Sequence, residues 1–240
     1  MPLLEAENLT KSFGGVVAVQ ALSFSVGEGE ILGLIGPNGA GKTTVFNLMT
    51  GFERPDKGVI RFRGMDIGRL RPHRVSQLGI MRTFQITKPF GHLTALENVM
   101  IAALAHGTDM AAARRAAAQT LGFVGMEAKA FDPARELPVE GQKMLELARA
   151  LVVRPKVLLL DEVMGGLTAS EINRVMERLR EVRQTGVAMI IVEHVMRAIM
   201  AISDRVVVMN FGQKIAEGRP SEVATDPQVR TAYLGRTDRA

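Results

Sequence analysis

The stretch GPNGAGKT at residues 36–43 constrains this chain more than any other. It fits G-x-x-x-x-G-K-[ST], and it stands directly after the apolar run ILGLI and directly before the apolar-periodic VFNLMTG. Strand, glycine-rich turn and helix in that order suit the gripping of a phosphate. Glycines let backbone N–H groups curl around an anion at a helix N-terminus, where the dipole already favours negative charge. Gly36, Asn38, Gly39 and Gly41 then belong to the cradle, and Lys42 adds a point charge at the β- and γ-phosphates of a nucleoside triphosphate. Thr43 is expected to ligate Mg²⁺ through its hydroxyl, and Thr44 to assist phosphate binding.

Two further runs carry chemistry. VLLLDE at 157–162 is an apolar strand ending in two carboxylates, which puts Asp161 and Glu162 at the carboxyl edge of a sheet, where ligands bind. Asp161 suits the Mg²⁺ shell, and Glu162 suits a general base for the attacking water; helix capping is the structural alternative. VAMIIVEH at 187–194 repeats the design and brings His194 to the same edge, within reach of the γ-phosphate. A strand-end histidine by itself is more often structural. Gln85, after GIMRTF, is a candidate water or Mg²⁺ contact by the same logic.

Periodicity organises the rest. LLEAENL, VVAVQALSFSV and GVIRFRG read as strands, so the first third is strand-rich. Between about Leu93 and Leu151, TALENVMIAALA, DMAAARRAAAQTLGFVG and GQKMLELARALVV recur at three- and four-residue spacing and predict helices. After Pro155, strands VLLLD, VAMIIVE and RVVVMN alternate with helices SEINRVMERLREVRQ and VMRAIMAI, a pattern that implies a parallel sheet. Asn210 to Gly212 predicts a hairpin turn, and DPQVRTAYLG a last helix.

Composition narrows the classes. With 47% hydrophobic and 23% charged residues the chain should fold throughout. It has no cysteine, so disulfides and thiolate metal sites are out, and MPLLEAENLTK lacks a signal-peptide pattern, making the cytoplasm the default. No apolar run approaches the ~20 residues that span a bilayer, so any membrane connection is indirect. The net charge of +5 and the basic cluster RLRPHR at 69–74 could favour anionic surfaces, although a solvated face is the simpler reading. One tyrosine and no tryptophan provide no stacking platform, and no nucleic acid is expected.

GPNGAGKT, FQ at 84–85, LARAL followed by VLLLDE, and VEH resemble an ABC-type ATPase cassette in order and spacing. The resemblance implies an α/β fold: a P-loop NTPase with a RecA-like core, an antiparallel β subdomain and a helical subdomain. It implies one domain over 1–240, with 1–85 and 152–240 forming the nucleotide-binding core and β subdomain, and about 86–151 the helical subdomain. By that likeness Phe13 in KSFGG stacks on adenine, although the residue alone reads as core. Gln85 becomes the loop that senses a permease, and His194 the switch. RTFQITKPF, DEVMGGLT and IAEGRPSEVATDPQVRTAYLG resemble the ATP-binding subunits of branched-chain and related hydrophobic amino acid importers.

That resemblance implies an ATP- and Mg²⁺-dependent motor on the cytoplasmic face of the cell membrane. Its partners would be a second ATP-binding subunit, integral-membrane permeases and, indirectly, an extracytoplasmic solute-binding protein. Alternatives are the ATPase of a lipopolysaccharide-type exporter or a soluble non-transport cassette protein. Ile86, Phe90 and Leu93 are candidates for a permease-facing groove, or equally for core packing.

LPVEG at 137–141 departs from the family's LSGGQ-like loop, which caps a helix and points a serine hydroxyl and N–H groups at ATP held by the other subunit. Anchored on ARAL at 148–151, the loop loses its hydroxyl, gains Pro138 without an N–H, and brings Glu140 toward the partner's γ-phosphate unless the side chain turns away. A one-residue slip would instead put Glu140, Gly141 and Gln142 at the motif's end. Val163, Met164 and Thr168 also replace the Pro, Thr and Asp of many cassettes. A heterodimer is expected, in which this chain supplies a competent ATP site and a weak signature; a homodimer is the alternative.

Overall fold

The computed structural model describes residues 1–83 and 89–234. The chain opens with β1 (Leu4–Phe13), β2 (Val16–Val26), β3 (Ile31–Ile35), α1 (Lys42–Met49), β4 (Lys57–Phe62), β5 (Met65–Asp66), α2 (Pro72–Gln77) and β6 (Ile80–Arg82). Helices α3 (Ala95–Ala105), α4 (Met110–Phe123) and α5 (Val139–Leu151) come next. The remainder alternates β7 (Val157–Asp161), α6 (Ala169–Gln184), β8 (Ala188–Val192), α7 (Met196–Ile202), β9 (Arg205–Asn210) and β10 (Gln213–Gly218), and ends in α8 (Pro220–Thr225) and α9 (Pro227–Leu234).

Two sheets result. One is four-stranded and antiparallel, in the order β2-β1-β4-β5; the other is six-stranded, in the order β10-β9-β3-β8-β7-β6. From β9 to β6 the six-stranded sheet is parallel, and β10 closes its edge as an antiparallel hairpin partner. Its central strands are buried at every position because both faces are covered. Alternation divides their side chains. Leu32, Leu34, Leu159 and Ile190 join the antiparallel sheet and α1 in one cluster, while Ile31, Ile35, Leu160 and Ile191 join helices α3 to α7 in the other. Each leucine so buried contributes roughly 1.5–3 kcal/mol, and a one-residue register slip would exchange the two sets.

Side-chain caps open three of the helices. Thr94 and Glu97 form a capping box on α3, Asp109 caps α4, and Thr168 and Glu171 cap α6. Thr168, where many cassettes carry aspartate, therefore keeps the capping chemistry. Asn98, fully buried, accepts from the Phe90 amide and donates to the carbonyls of Phe90, Leu93 and Thr94, fixing the chain that leads into α3.

Three details differ from the sequence reading. Helix α5 begins at Val139 with Pro138 as N-cap, so Gly141 lies in its first turn rather than opening it; a prolyl residue tolerates that end, where an N–H has no intrahelical partner. Helix α2 starts within RLRPHR, with Pro72 in its first turn. Strand β1 runs on to Phe13, its pairing with β2 shifting register on either side of the buried Leu9 and again between Lys11 and Ser12, so that the polar neighbours of Leu9 are accommodated.

Candidate active site

The glycine-rich loop leaves β3 at the carboxyl edge of the parallel sheet and delivers the chain to α1. Gly39 and Gly41 sit at φ 80° and 100°, in the left-handed region, and a β-carbon on Gly41 would lie 2.2 Å from the Ala18 carbonyl oxygen. Only glycine lets the loop approach β2 so closely. Lys42 is 7% exposed and folds back, its Nζ donating to the carbonyls of Gly36 at 2.7 Å and Pro37 at 3.0 Å. Burial pushes its ammonium pKa down, and the nearby charges of Glu162 and Asp161 oppose that shift.

Strands β7 and β8 are parallel neighbours, with Asp161 opposite Val192, so the residues just beyond them meet. The His194 Nε2 lies 2.7 Å from the Glu162 Oε1. A cleft of about 470 Å³ is lined by Ala18, residues 38–44, Glu162, Val192 and His194. It thus joins Asn38, Gly39, Gly41, Lys42, Thr43 and Thr44 to the Glu162–His194 pair across the sheet edge. Gly36 is buried behind this lining, its β-carbon position only 2.2 Å from the Met209 carbonyl oxygen. Phe13 stands outside the lining at the end of β1, half exposed, with the Lys11 ammonium 5.2 Å from its ring centroid. Gln85 and Ile86 lie outside the described residues.

Glu162 has φ 51°, a left-handed conformation that costs a side-chain-bearing residue about 1–2 kcal/mol. Its amide donates to the Val192 carbonyl at 2.9 Å, and its carbonyl accepts from Lys143 Nζ at 2.9 Å. Asp161 is buried, and its Oδ2 accepts from Arg82 Nη2 at 2.7 Å. The other arm of that guanidinium donates to Asn47 Oδ1 at 2.7 Å, and its centre lies 5.4 Å from the Phe46 ring centroid. Thr83 supports the same residue from its hydroxyl, which accepts from the Asp161 amide.

Among the described residues no cluster of three or more His, Cys, Asp or Glu forms a metal cage. The donor types present, the Thr43 hydroxyl on the cleft lining and the buried Asp161 carboxylate at the end of β7, are those that suit an ion such as Mg²⁺ that keeps its waters and binds along with a substrate's phosphates.

Sequence reasoning missed Arg82, Lys143 and Glu193. Glu193 is 2% exposed, and its Oε1 accepts from the Met164 amide at 2.6 Å. A carboxylate closing an otherwise apolar strand was the available signal. At the LPVEG turn, Glu140 does turn aside: both of its oxygens accept from Arg174 of α6, at 2.8 Å each. Val139 is exposed beside it. Phe90, half exposed, has the Arg149 guanidinium 5.6 Å from its ring centroid.

Comparison with known proteins agrees with this architecture. Residues 19–165 match the ABC transporter family, and 213–239 match the family described as branched-chain amino acid ATP-binding cassette transporter. The high-affinity branched-chain amino acid transport ATP-binding proteins of Pseudomonas aeruginosa and Salmonella typhimurium are each 38% identical, with 98% of both chains covered. A probable branched-chain amino acid transport ATP-binding protein of Archaeoglobus fulgidus is 36% identical, over 99% of this chain and 97% of its own. Among solved structures, a nucleotide-free ATP-binding cassette from an ABC transporter superposes with a TM-score of 0.91 at 31% identity, covering 98% of this chain and 100% of that one. A cassette in its ADP conformation gives 0.91 at 32%, covering 98% and 99%. With a glycine-rich loop, an acid pair and a histidine gathered on one sheet edge, the chain belongs to the family of ABC transporter ATP-binding cassettes.

Proposed function

We propose that the chain is the ATP-binding and ATP-hydrolysing motor subunit of an importer for branched-chain or related hydrophobic amino acids. The carrying observation is the cleft that brings Lys42, Thr43, Glu162 and His194 together, in a chain matched from end to end by branched-chain amino acid transport ATP-binding proteins. Those relatives' names speak of branched-chain amino acid transport, which supports this reading over a lipopolysaccharide-type exporter or a soluble cassette protein. The chain works as one cassette, residues 1–85 and 152–240 forming core and β subdomain, and about 86–151 the helical subdomain.

In this reading the β- and γ-phosphates take the place of the loop carbonyls as partners of Lys42. The N–H groups of residues 39–44 complete the grip, and Phe13 stacks on the adenine. Thr43 and Asp161, with Gln85, hold Mg²⁺, which when bound neutralises charge on the β- and γ-oxygens. Asp161 has one oxygen committed to Arg82, and only its other oxygen is offered to the ion in this reading. Glu162 takes the proton of the attacking water, and His194 holds that carboxylate at 2.7 Å while contacting the γ-phosphate.

No helix among the described residues is long and apolar enough to cross a membrane, so transport needs integral permease partners. A solute-binding protein on the far side is an indirect one, and this chain works from the cytoplasmic face. The second cassette is a companion with a better signature: Pro138 and Val139 carry no hydroxyl, and Arg174 neutralises Glu140 without restoring one.

Glu162→Gln keeps the shape of the side chain and removes the base. ATP binding should remain at the wild-type level while turnover falls by roughly 10²–10⁴. Hydrolysis at the wild-type rate would overturn the assignment. ATPase measured on the chain alone and with its companion cassette tests the heterodimer; strong cooperative hydrolysis by the chain alone overturns it.

A further inference from the structure

Lys143 is a lysine with its ammonium directed into the protein. It stands in the second turn of α5, is 9% exposed, and its Nζ donates to the Glu162 carbonyl at 2.9 Å. Burying an ammonium is costly unless its donors meet acceptors. Here the acceptor is the backbone of the residue whose conformation is least favourable in the cleft, at φ 51°. The amide of the same residue is held from β8, where the Val192 carbonyl accepts it. The loop leaving Glu162 is held too, since Glu193 accepts from the Met164 amide at 2.6 Å. The Lys143 charge reaches Glu193 as well and opposes the upward shift that burial imposes on that carboxyl.

Three elements therefore fix one residue: β7 delivers Glu162, β8 takes its amide, and α5 takes its carbonyl. The first two are bonded strands of one sheet. The third is the helix whose N-terminus carries LPVEG at 137–141, separated from Lys143 only by Gln142. A rotation or shift of α5 has to move the donor on the Glu162 carbonyl or break the contact.

We infer that Lys143 is a positioning residue for hydrolysis: it holds the left-handed backbone of Glu162, aims the carboxylate into the phosphate cleft, and makes that aim depend on the seating of α5. The inference rests on Glu162 acting as the base. It adds a route by which a nucleotide engaged at the N-terminus of α5 alters the chain's own cleft, without contact between the two sites.

Lys143→Met keeps length and removes the donor. In the assembled transporter, kcat should fall roughly 10- to 100-fold, the effect of misaiming a reacting group. KM for ATP and the fluorescent-nucleotide affinity of the cassette should stay within about twofold. Lys143→Arg, which can donate to the same carbonyl, should recover most of the rate. In a Glu162→Gln background, Lys143→Met should cost nothing further, because the group it aims is gone.

Wild-type kcat in Lys143→Met overturns the inference, as does an equal proportional loss in the Glu162→Gln background or a parallel loss of nucleotide affinity. If Lys143→Met does not fold, Lys143→Gln carries the same comparison. Wild-type turnover in Glu162→Gln alone defeats the base assignment itself. An inactive Glu162→Gln beside a fully active Lys143→Met defeats only the positioning role.

Discussion

Replacing Arg82 by methionine separates a buried carboxylate from its counter-ion while keeping most of the apolar stem. The side chains of Arg82 and Asp161 are 7% and 5% exposed, and the Nη2 to Oδ2 distance is 2.7 Å. Breaking such a pair from one side costs about 3–5 kcal/mol, because the remaining charge is left in a low-dielectric site. The Asn47 side-chain oxygen also loses its 2.7 Å donor, and Phe46 its neighbouring guanidinium, which places the expected cost toward the upper end. In a chain of 240 residues each kcal/mol moves the thermal midpoint by roughly 2–4 °C, so Arg82→Met should melt about 6–20 °C lower in nucleotide-free buffer. Urea unfolding at unchanged m-value would give the same loss as free energy. Arg82→Met combined with Asp161→Asn should recover much of it, since an amide carries no charge to strand. A loss below about 1 kcal/mol, or no recovery in the double variant, would refute the reasoning that the pair is a closed, desolvated unit.

Gly41→Ala puts a β-carbon 2.2 Å from the Ala18 carbonyl oxygen at φ 100°, so the cradle must deform. Strain of about 1–3 kcal/mol predicts a loss of nucleotide affinity of roughly fivefold to a hundredfold or more, and a fluorescent-nucleotide titration with wild-type affinity would contradict it. Burial pushes the Glu193 carboxyl above its ordinary 4.5, more than its hydrogen bonds from the Met164 and His194 amides pull it down. The folded state thus holds that proton more tightly than the unfolded chain, and Glu193 loses stability for the fold as pH rises from its ordinary value through the raised one. Glu193→Gln, which cannot titrate, should gain on the wild type as pH rises above the ordinary carboxylate value of 4.5; a stability difference independent of pH would sink that expectation.

Much of the fold was legible because it rests on local periodicity. The continuous apolar runs ILGLI, VLLLD and AMIIV are what strands covered on both faces require, and they form the centre of the parallel sheet. The segments read as helices between Leu93 and Leu151 became α3, α4 and α5, and the Asn210 to Gly212 turn became the β9–β10 hairpin. Helix α2 was less visible, because six residues beginning at Pro72 are too few for a 3.6-residue repeat to stand out from a basic cluster. The start of α5 lies earlier than its glycine suggests, because a glycine usually marks a helix end, whereas Gly141 sits inside the first turn, where a β-carbon would lie 3.3 Å from Leu137 and 3.4 Å from Pro138.

Of the site, the residues alone placed the glycine-rich loop and the acid and histidine at two strand ends together, since a motif and a strand direction suffice to put Lys42, Glu162 and His194 on one edge. What they could not determine is which charges face each other across long loops. Arg82 meets Asp161 from 79 residues away, and Arg174 meets Glu140 from 34. Lys143 reaches the Glu162 carbonyl across 19, and Glu193 the Met164 amide across 29. Those pairings depend on strand register and on how α5 and α6 lie against the sheet, which are set by the packing of whole faces rather than by any short run. Sequence by itself determined most of the elements and the residue types available at one sheet edge. The tertiary structure decided the partners and the left-handed turn at Glu162, because a side chain's environment is made by residues that only folding brings within reach.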